Sequence, residues 1–184
     1  MPPRRCGRAS LIRDEYHMPM SYKLMNSPVG LLKLVASEKA LVAILWENDD
    51  PVRVRLGDVV EEPFHRVLVQ TEKELKEYFA GKRHTFSLSL DMRGTPFQKE
   101  VWEVLLGIPF GETCTYGDIA KRLGNPAASR AVGGANRRNP ISIIVPCHRV
   151  VGAARNLIGF AGGLEAKTYL LSLEAADHEK SESH

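Results

Sequence analysis

Cysteine is scarce in this 184-residue chain, and the three cysteines, Cys6, Cys114 and Cys147, lie far apart. An odd, widely spaced set argues against a disulfide framework. No C-x-x-C pair occurs, so a four-cysteine zinc module is not encoded and no metal is expected. No apolar run approaches the roughly 20 residues of a membrane-spanning helix, and none resembles the core of a secretion signal. We therefore expect no membrane partner and a reducing location, the cytoplasm.

Acidic residues are few in the second half of the chain. Residues 92–176 carry 10 Lys/Arg against 6 Asp/Glu, whereas residues 1–91 carry 14 against 13. Five arginines surround the segment that contains Cys147, at positions 130, 137, 138, 149 and 155. Such a cluster is often only solvated surface, but one that frames a candidate site suits a polyanionic partner.

The pattern of apolar runs and turns predicts two domains between two tails. Residues 1–19 place arginines among Pro, Gly and Ser without periodicity and are interpreted as a flexible tail. Residues 20–91 predict a three-stranded antiparallel meander, a helix from 62–63 to about 80, with 71 as an alternative start, and a last strand at 85–90. A second domain follows at 92–176, and 177–184 is a second tail. His65 and His84 are interpreted as surface residues; a metal site with Cys6 and His17 is the alternative.

The second domain has the outline of a helix-turn-helix. Thr95 and Pro96 begin its first helix, as N-cap and first-turn residue. A short helix at 118–123 and a turn at 124–126 lead to a small-residue helix at 127–136. That helix carries one long cation, Arg130, on a smooth Ala/Gly surface, which suits close approach to a duplex with the arginine as a wedge. A tightly packed core helix is the alternative.

The segment 139–151 is the candidate site. Residues 141–145 are apolar and β-branched and predict a buried strand that Pro146 stops. The strand would deliver Cys147 and His148 to its end, and the Arg149 cation would favour the thiolate. Because neighbours on an extended chain point to opposite sides, His148 would act on Cys147 through a water. The alternative is that Cys147 is a small buried hydrophobe.

The motif PCHRV at 146–150, preceded by NPI at 139–141, resembles the signature of the O6-alkylguanine-DNA alkyltransferases. Four further motifs follow the family's order: TPFQ at 95–98, YG at 116–117, AASRAVGGA at 127–135 and GFAGGL at 159–164. The chain is most similar to the bacterial constitutive type. The resemblance implies an α/β (α+β) fold, with an N-terminal ribonuclease-H-like sheet-plus-helix domain and a C-terminal winged-helix-like, helix-turn-helix catalytic domain.

The resemblance also implies the roles of individual residues. Cys147 would attack the alkyl carbon on guanine O6, and also O4-alkylthymine; His148 would take the thiol proton. Glu174, a carboxylate on the apolar side of a predicted helix at 164–175, would hold His148, and Asn139 would fix the active-site turn. The substrate and DNA contacts implied are Tyr116, Ala127, Arg130, Ala131, Gly133, Arg137, Val150, Phe160 and Ala161.

Double-stranded DNA carrying O6-alkylguanine is the implied partner, bound by a monomer through the minor groove and without a cofactor. The damaged base would be flipped out, with Arg130 filling the gap. Because a thioether has no route back to a thiol, one molecule would act once. Ala161 stands where some relatives have Ser, so only backbone N–H groups would bind O6 there.

Three other functions remain as alternatives. A lesion-binding relative without repair activity would lack the cysteine, which is present here. A helix-turn-helix regulator would give sequence-specific footprints, and the cysteine-rich module of the inducible relatives is absent from the sequence. A cysteine hydrolase needs Cys and His in contact, which adjacency in sequence makes awkward.

Overall fold

The computed structural model describes residues 19–182, and its N-terminal part is a four-stranded sheet with one helix. The strands are β1 (Met20–Ser27), β2 (Gly30–Ala36), β3 (Leu41–Trp46) and β4 (Val59–Glu61). Their order is β3-β2-β1-β4, with β1 to β3 antiparallel and β4 parallel to β1. The predicted meander is confirmed. Residues 1–18 of the predicted tail, including Cys6 and His17, lie outside the described residues.

Helix α1 (Arg66–Phe79) covers the inner face of this sheet and buries Leu68, Leu75 and Tyr78. It begins later than predicted, because residues 62–65 form a turn that ends in His65 at the N-cap. The predicted strand at 85–90 is wrong: only Leu90 forms a bridge, to Leu41. The Leu41 N–H donates to the Ser89 carbonyl at 2.9 Å, and the Asp91 N–H donates to the Leu41 carbonyl at 2.8 Å. This segment therefore pairs with β3 at a single residue.

The C-terminal part is mainly helical. Helix α2 (Pro96–Leu106) begins at a capping box in which Thr95 accepts from the Gln98 backbone N–H, as the predicted cap requires. Helix α3 (Tyr116–Arg122) and helix α4 (Ser129–Arg137) flank a turn in which Gly124 has φ +74°. Residues 126–128 form a 3₁₀ turn, so α4 begins two residues later than predicted. Two short strands, β5 (Cys114–Thr115) and β6 (Val150–Val151), pair in parallel.

Helix α5 (Gly163–Glu182) closes the chain and continues past its predicted end at 175 into the predicted second tail. Residues 183–184 lie outside the described part. No helix among residues 19–182 has the length and apolarity to cross a membrane.

One core joins the two parts of the fold. Leu32, Leu34 and Ile44 of the sheet belong to the same buried cluster as Trp102 and Ile141. The Trp102 indole Nε1 donates to the Ala135 carbonyl at 2.9 Å, which holds α2 against α4. Because the sheet packs directly on the segment that precedes Cys147, the N-terminal part can position the candidate site.

Candidate active site

The segment before Cys147 is a tight turn, and the predicted strand at 141–145 is wrong. Ile143 has φ +76°, a left-handed conformation that costs a β-branched residue about 1–3 kcal/mol. The Asn139 side chain holds the turn: its Nδ2 donates to the Val145 carbonyl at 2.8 Å, and its Oδ1 accepts from the Ile141 N–H at 3.0 Å. The burial predicted from the apolar residues is confirmed. Their backbone groups, however, bond the Asn139 side-chain amide where a strand would bond a neighbouring strand.

Cys147 begins a single 3₁₀ turn, residues 147–149, and is 3% exposed. Burial raises the pKa of its thiol. Hydrogen bonds from Asn139 and Ser142 and the positive charges of Arg53 and Lys167 oppose that rise without cancelling it. The resting side chain is therefore a thiol at neutral pH, and a base must remove its proton before it can act as a nucleophile.

Arg149 does not face the thiol, contrary to the sequence-based expectation. Its Nε donates to Glu174 Oε2 at 2.8 Å, a second nitrogen donates to Oε1 at 3.0 Å, and a third donates to the Ile108 carbonyl at 2.6 Å. The pair is almost fully buried. The Glu174 carboxylate thus neutralises the Arg149 charge. The 3₁₀ turn directs the Arg149 side chain towards this carboxylate.

Glu174 is the centre of a buried network that orients His148. Its Oε1 lies 2.7 Å from His148 Nε2 and accepts from the Tyr78 hydroxyl at 2.7 Å. Burial acts to raise the pKa of Glu174, but the hydrogen bonds and charges of His148 and Arg149 prevail and lower it, so this carboxyl is ionised. The predicted apolar-side carboxylate therefore has four partners, since the Gly111 N–H also donates to its Oε2 at 3.3 Å. Tyr78, from the N-terminal sheet domain, is one that the sequence did not indicate.

His148 is fully buried, and burial lowers its pKa. A neutral imidazole that donates from Nε2 to Glu174 leaves Nδ1 as an acceptor. Within the described part of the chain, no group hydrogen-bonds Nδ1, although this atom is buried. The network therefore presents an unprotonated ring nitrogen that can take a proton.

A cleft of about 860 Å³ lies beside these residues. It collects five of the predicted contact residues: Tyr116, Gly133, Arg137, Phe160 and Ala161. Val150 does not line it; its side chain is buried and its carbonyl accepts from Lys167 at 2.6 Å. Burial raises the pKa of Tyr116, and the charge of a Cys147 thiolate would raise it further.

Helix α4 has one buried and one exposed side. The buried residues are Val132, Ala135 and Asn136. For this side of the helix, the alternative prediction of a tightly packed core helix is confirmed. Arg130 and Ala131 are exposed, as is Ala127 in the 3₁₀ turn before the helix. The exposed side is thus a small-residue surface from which Arg130 projects, and it is continuous with the cleft through Gly133 and Arg137.

Two residues of the N-terminal domain support the site and were missed in the sequence. Trp46 Nε1 donates to Ser142 Oγ at 3.2 Å, and its ring meets the Phe160 ring edge-on at 5.3 Å. A Cβ on Gly162 would lie 2.6 Å from the Trp46 ring. Arg53, paired with Asp49, donates to the carbonyls of Asn139 and Ile44. No local pattern separates these residues from ordinary strand and loop positions.

The alternative metal site includes Cys6 and His17, which lie outside the described residues, so it is not tested; among residues 19–182 no three His, Cys, Asp or Glu side chains converge. His84 instead stacks on the Phe110 ring with centroids 4.0 Å apart. Cys114 is buried, and burial raises the pKa of its thiol.

Two family descriptions match nearly all of the described chain. Residues 20–92 match "6-O-methylguanine DNA methyltransferase, ribonuclease-like domain", and residues 96–176 match "6-O-methylguanine DNA methyltransferase, DNA binding domain".

Curated proteins and solved structures agree with these matches. A methylated-DNA--protein-cysteine methyltransferase of Methanosarcina acetivorans is 47% identical over 158 residues, 85% of this chain and 99% of the relative. A constitutive one of Bacillus subtilis is 40% identical over 163 residues, 86% of this chain and 98% of the relative. The crystal structure of Mycobacterium tuberculosis OGT in complex with DNA superposes with a TM-score of 0.80 at 41% identity, covering 85% and 94% of the two chains.

Proposed function

Because the chain belongs to the 6-O-methylguanine DNA methyltransferase family, we propose that it repairs DNA by transferring the methyl group of O6-methylguanine to Cys147. The observation that carries the proposal is the buried Cys147, His148 and Glu174 arrangement beside a cleft that opens onto the exposed side of α4. A family match alone would leave open whether this chain keeps the nucleophile, the base and the group that orients the base. All three residues are present, and the burial of Cys147 and the 2.7 Å contact between His148 and Glu174 support these roles.

Proton removal from Cys147 is the first step. His148 Nδ1 takes the thiol proton through one water, and the imidazolium that forms is stabilised by the ionised Glu174 at 2.7 Å. Burial penalises the charged imidazole and the thiolate alike, so the two ions are favoured as a pair rather than singly.

Methyl transfer follows as an in-line displacement. The Cys147 sulfur forms a bond to the methyl carbon while the bond from that carbon to guanine O6 breaks, and the electron pair leaves with the guanine. Tyr116 donates a hydrogen bond to the purine ring as this charge develops. Burial raises the pKa of Tyr116, so it stays a protonated donor. The leaving guanine takes up one proton from water while the His148 imidazolium releases the thiol proton to water, so the products are guanine, S-methylcysteine and the neutral imidazole.

Access to the methyl group requires the nucleotide to leave the base stack. The exposed Ala and Gly residues of α4 allow its backbone to lie close to the minor groove, and Arg130 enters the duplex to fill the space of the flipped base. Phe160 gives the pocket an aromatic wall, and backbone N–H groups near Ala161 bind O6. Phosphate contacts from the basic second half supply most of the affinity.

Replacing Arg130 tests base flipping. We expect Arg130→Ala to slow methyl transfer from duplex DNA by roughly 10- to 100-fold, because a few kcal/mol of unstacking is no longer offset. Transfer from a short single-stranded oligonucleotide should be unchanged, since no base pair has to open. Arg66→Ala, which removes an exposed arginine on α1, is the charge-matched control. An equal loss on both substrates would make Arg130 a phosphate contact only.

The pH dependence of the single-turnover rate tests the base. A lowered pKa keeps His148 neutral into mild acid, so the wild-type rate should fall only below the ordinary imidazole pKa of about 6.5. His148→Gln should be about 10²- to 10⁴-fold slower at pH 7. This gap should narrow as the pH rises through the raised pKa of Cys147, where the thiol ionises without a base. A rate difference that stays constant through the pH range in which the Cys147 thiol ionises would contradict the role of His148.

Single use of each molecule is part of the proposal. With duplex substrate in excess, the restored guanine should level off at one per protein molecule. Continued turnover would contradict a stoichiometric reagent. Binding of the lesion without repair would favour a damage sensor, and cleavage of a chromogenic ester would favour the hydrolase.

Three wider features belong to the same proposal. O4-alkylthymine is a second substrate, measured by the same plateau with that lesion. A nucleophilic free thiol suits a cytoplasmic location, because reducing conditions preserve it. A monomer binds each lesion, which light scattering with and without DNA tests.

A further inference from the structure

Lys167 is fully buried on α5, beside the active site, and has no role in the steps above. Its Nζ donates to the Val150 carbonyl at 2.6 Å and to the Ile158 carbonyl at 2.9 Å. Both acceptors are neutral. Removing an ammonium from water costs several kcal/mol unless a charge or very good hydrogen bonds compensate, so a buried lysine with carbonyl partners alone calls for an explanation.

The other buried cations of the site differ from Lys167. Arg149 is paired with Glu174, and Arg53 is paired with Asp49. Among the side chains that the structure describes, no carboxylate lies within 4.0 Å of the Lys167 ammonium. The Val150 carbonyl that Lys167 binds lies three residues after Cys147, and the charge of ionised Cys147 raises the pKa of the lysine against the lowering effect of burial. Reciprocally, Lys167 lowers the pKa of Cys147.

The two carbonyls that Lys167 binds stand at either end of one loop. Residues 152–156 turn back on themselves, with Gly152 N–H bonded to the Asn156 carbonyl at 2.9 Å and Arg155 at φ +56°. Ile158 and the three residues after it, Gly159, Phe160 and Ala161, line the cleft. A single ammonium therefore closes the loop that leads to the aromatic wall of the pocket.

We propose that Lys167 is a positioning residue whose ammonium is the counter-ion of the Cys147 thiolate and whose two hydrogen bonds hold the 150–158 loop in place. This inference rests on the proposed function. A neutral donor would satisfy the two carbonyls equally well. Only a cation also stabilises the charge that appears when His148 removes the thiol proton. The uncompensated ammonium is thus an unfavourable feature of the resting protein that the reactive state relieves.

The test measures Cys147 directly and needs no DNA. Carboxamidomethylation of Cys147 by iodoacetamide is followed against pH by peptide mass in the wild type, in Lys167→Met and in Lys39→Met, an exposed-lysine control. We expect the pH midpoint to move up by about one pH unit in Lys167→Met alone, a tenfold lower thiolate fraction at neutral pH. Hydrogen exchange of residues 152–158 should rise in the same variant. Lys167→Arg, which keeps the charge, should restore the midpoint in large part.

Each other outcome contradicts the proposal. Faster hydrogen exchange of residues 152–158 with an unchanged pH midpoint of alkylation would mean that Lys167 only stabilises the loop. A changed plateau rate with an unchanged midpoint would mean that the variant alters access to Cys147 and not its ionisation. If Lys167→Met does not fold, Lys167→Gln gives the same readout, and if neither folds while Lys39→Met does, Lys167 is a requirement of folding. Methyl transfer by the wild type is assayed separately, so a failure of the proposed function is distinguishable.

Discussion

Cys147→Ser should abolish methyl transfer, with a single-turnover rate more than about 10⁴-fold below the wild type. A hydroxyl is a much weaker acid than a thiol, and the His148 base cannot make up the difference in a buried site where burial already opposes a negative charge. Binding of O6-methylguanine duplex should change by less than a few-fold, because Cys147 is 3% exposed and the proposed DNA surface is α4. Rapid-quench assays and fluorescence anisotropy measure the two quantities.

Cys114→Ser is the matched control for this variant. Cys114 is also a buried free thiol of the C-terminal part, but it lies on β5 and its neighbouring charges are Arg122 and Asp118. It should keep the wild-type transfer rate. Residual transfer in Cys147→Ser, or loss of transfer in Cys114→Ser, would mean that the methyl acceptor has been assigned to the wrong cysteine.

Glu174→Gln should lower both stability and activity. The substitution leaves the Arg149 guanidinium buried without a counter-ion and weakens the bond that orients His148, so we expect a loss of about 3–5 kcal/mol in the free energy of unfolding. The transfer rate at pH 7 should fall by about 10²-fold or more, because the imidazolium loses its stabilising charge. Denaturant titration and single-turnover kinetics of the folded fraction separate the two effects.

The stability difference should also depend on pH. A carboxyl whose pKa is lowered in the folded state contributes stability that is fully present above its unfolded value, about 4.3, and is lost as the pH falls towards the folded value. The difference in the free energy of unfolding between wild type and Glu174→Gln should therefore become smaller below about pH 4.3. Glu74→Gln is the control, since Glu74 is equally buried but binds the Ser87 N–H at 2.8 Å instead of His148. It should cost stability and leave the transfer rate of the folded fraction unchanged.

Local sequence patterns predicted the structure correctly where it depends on residues that are close together in the chain. The Thr95 cap, the three-strand meander and the helix pair around Gly124 all follow from side chains within a few residues of one another. The Glu174 carboxylate on an apolar face indicated a buried partner for the same reason. The partners themselves, Tyr78 and Arg149, come from distant parts of the chain and required the fold.

The errors share one physical cause, which is long-range contact overriding local preference. The β-branched run at 141–145 is a turn because the Asn139 side-chain amide bonds the Ile141 N–H and the Val145 carbonyl, while the distant Arg53 guanidinium donates to the Asn139 carbonyl. Arg149 was expected beside Cys147 on sequence adjacency, but a 3₁₀ turn directs it to Glu174. Lys167 was missed although it lies seven positions before Glu174, and so on the same side of α5. A lysine among apolar helix positions is a signal that sequence reading can use.

The most direct test of the proposed function is the mass of the Cys147 peptide before and after the protein meets a duplex with one O6-methylguanine. The prediction is a gain of one CH2 unit on Cys147 alone, in proportion to the guanine restored in the DNA. An unchanged Cys147 peptide, whether the lesion is bound or the methyl group appears on another residue, would contradict the assignment of Cys147 as the methyl acceptor.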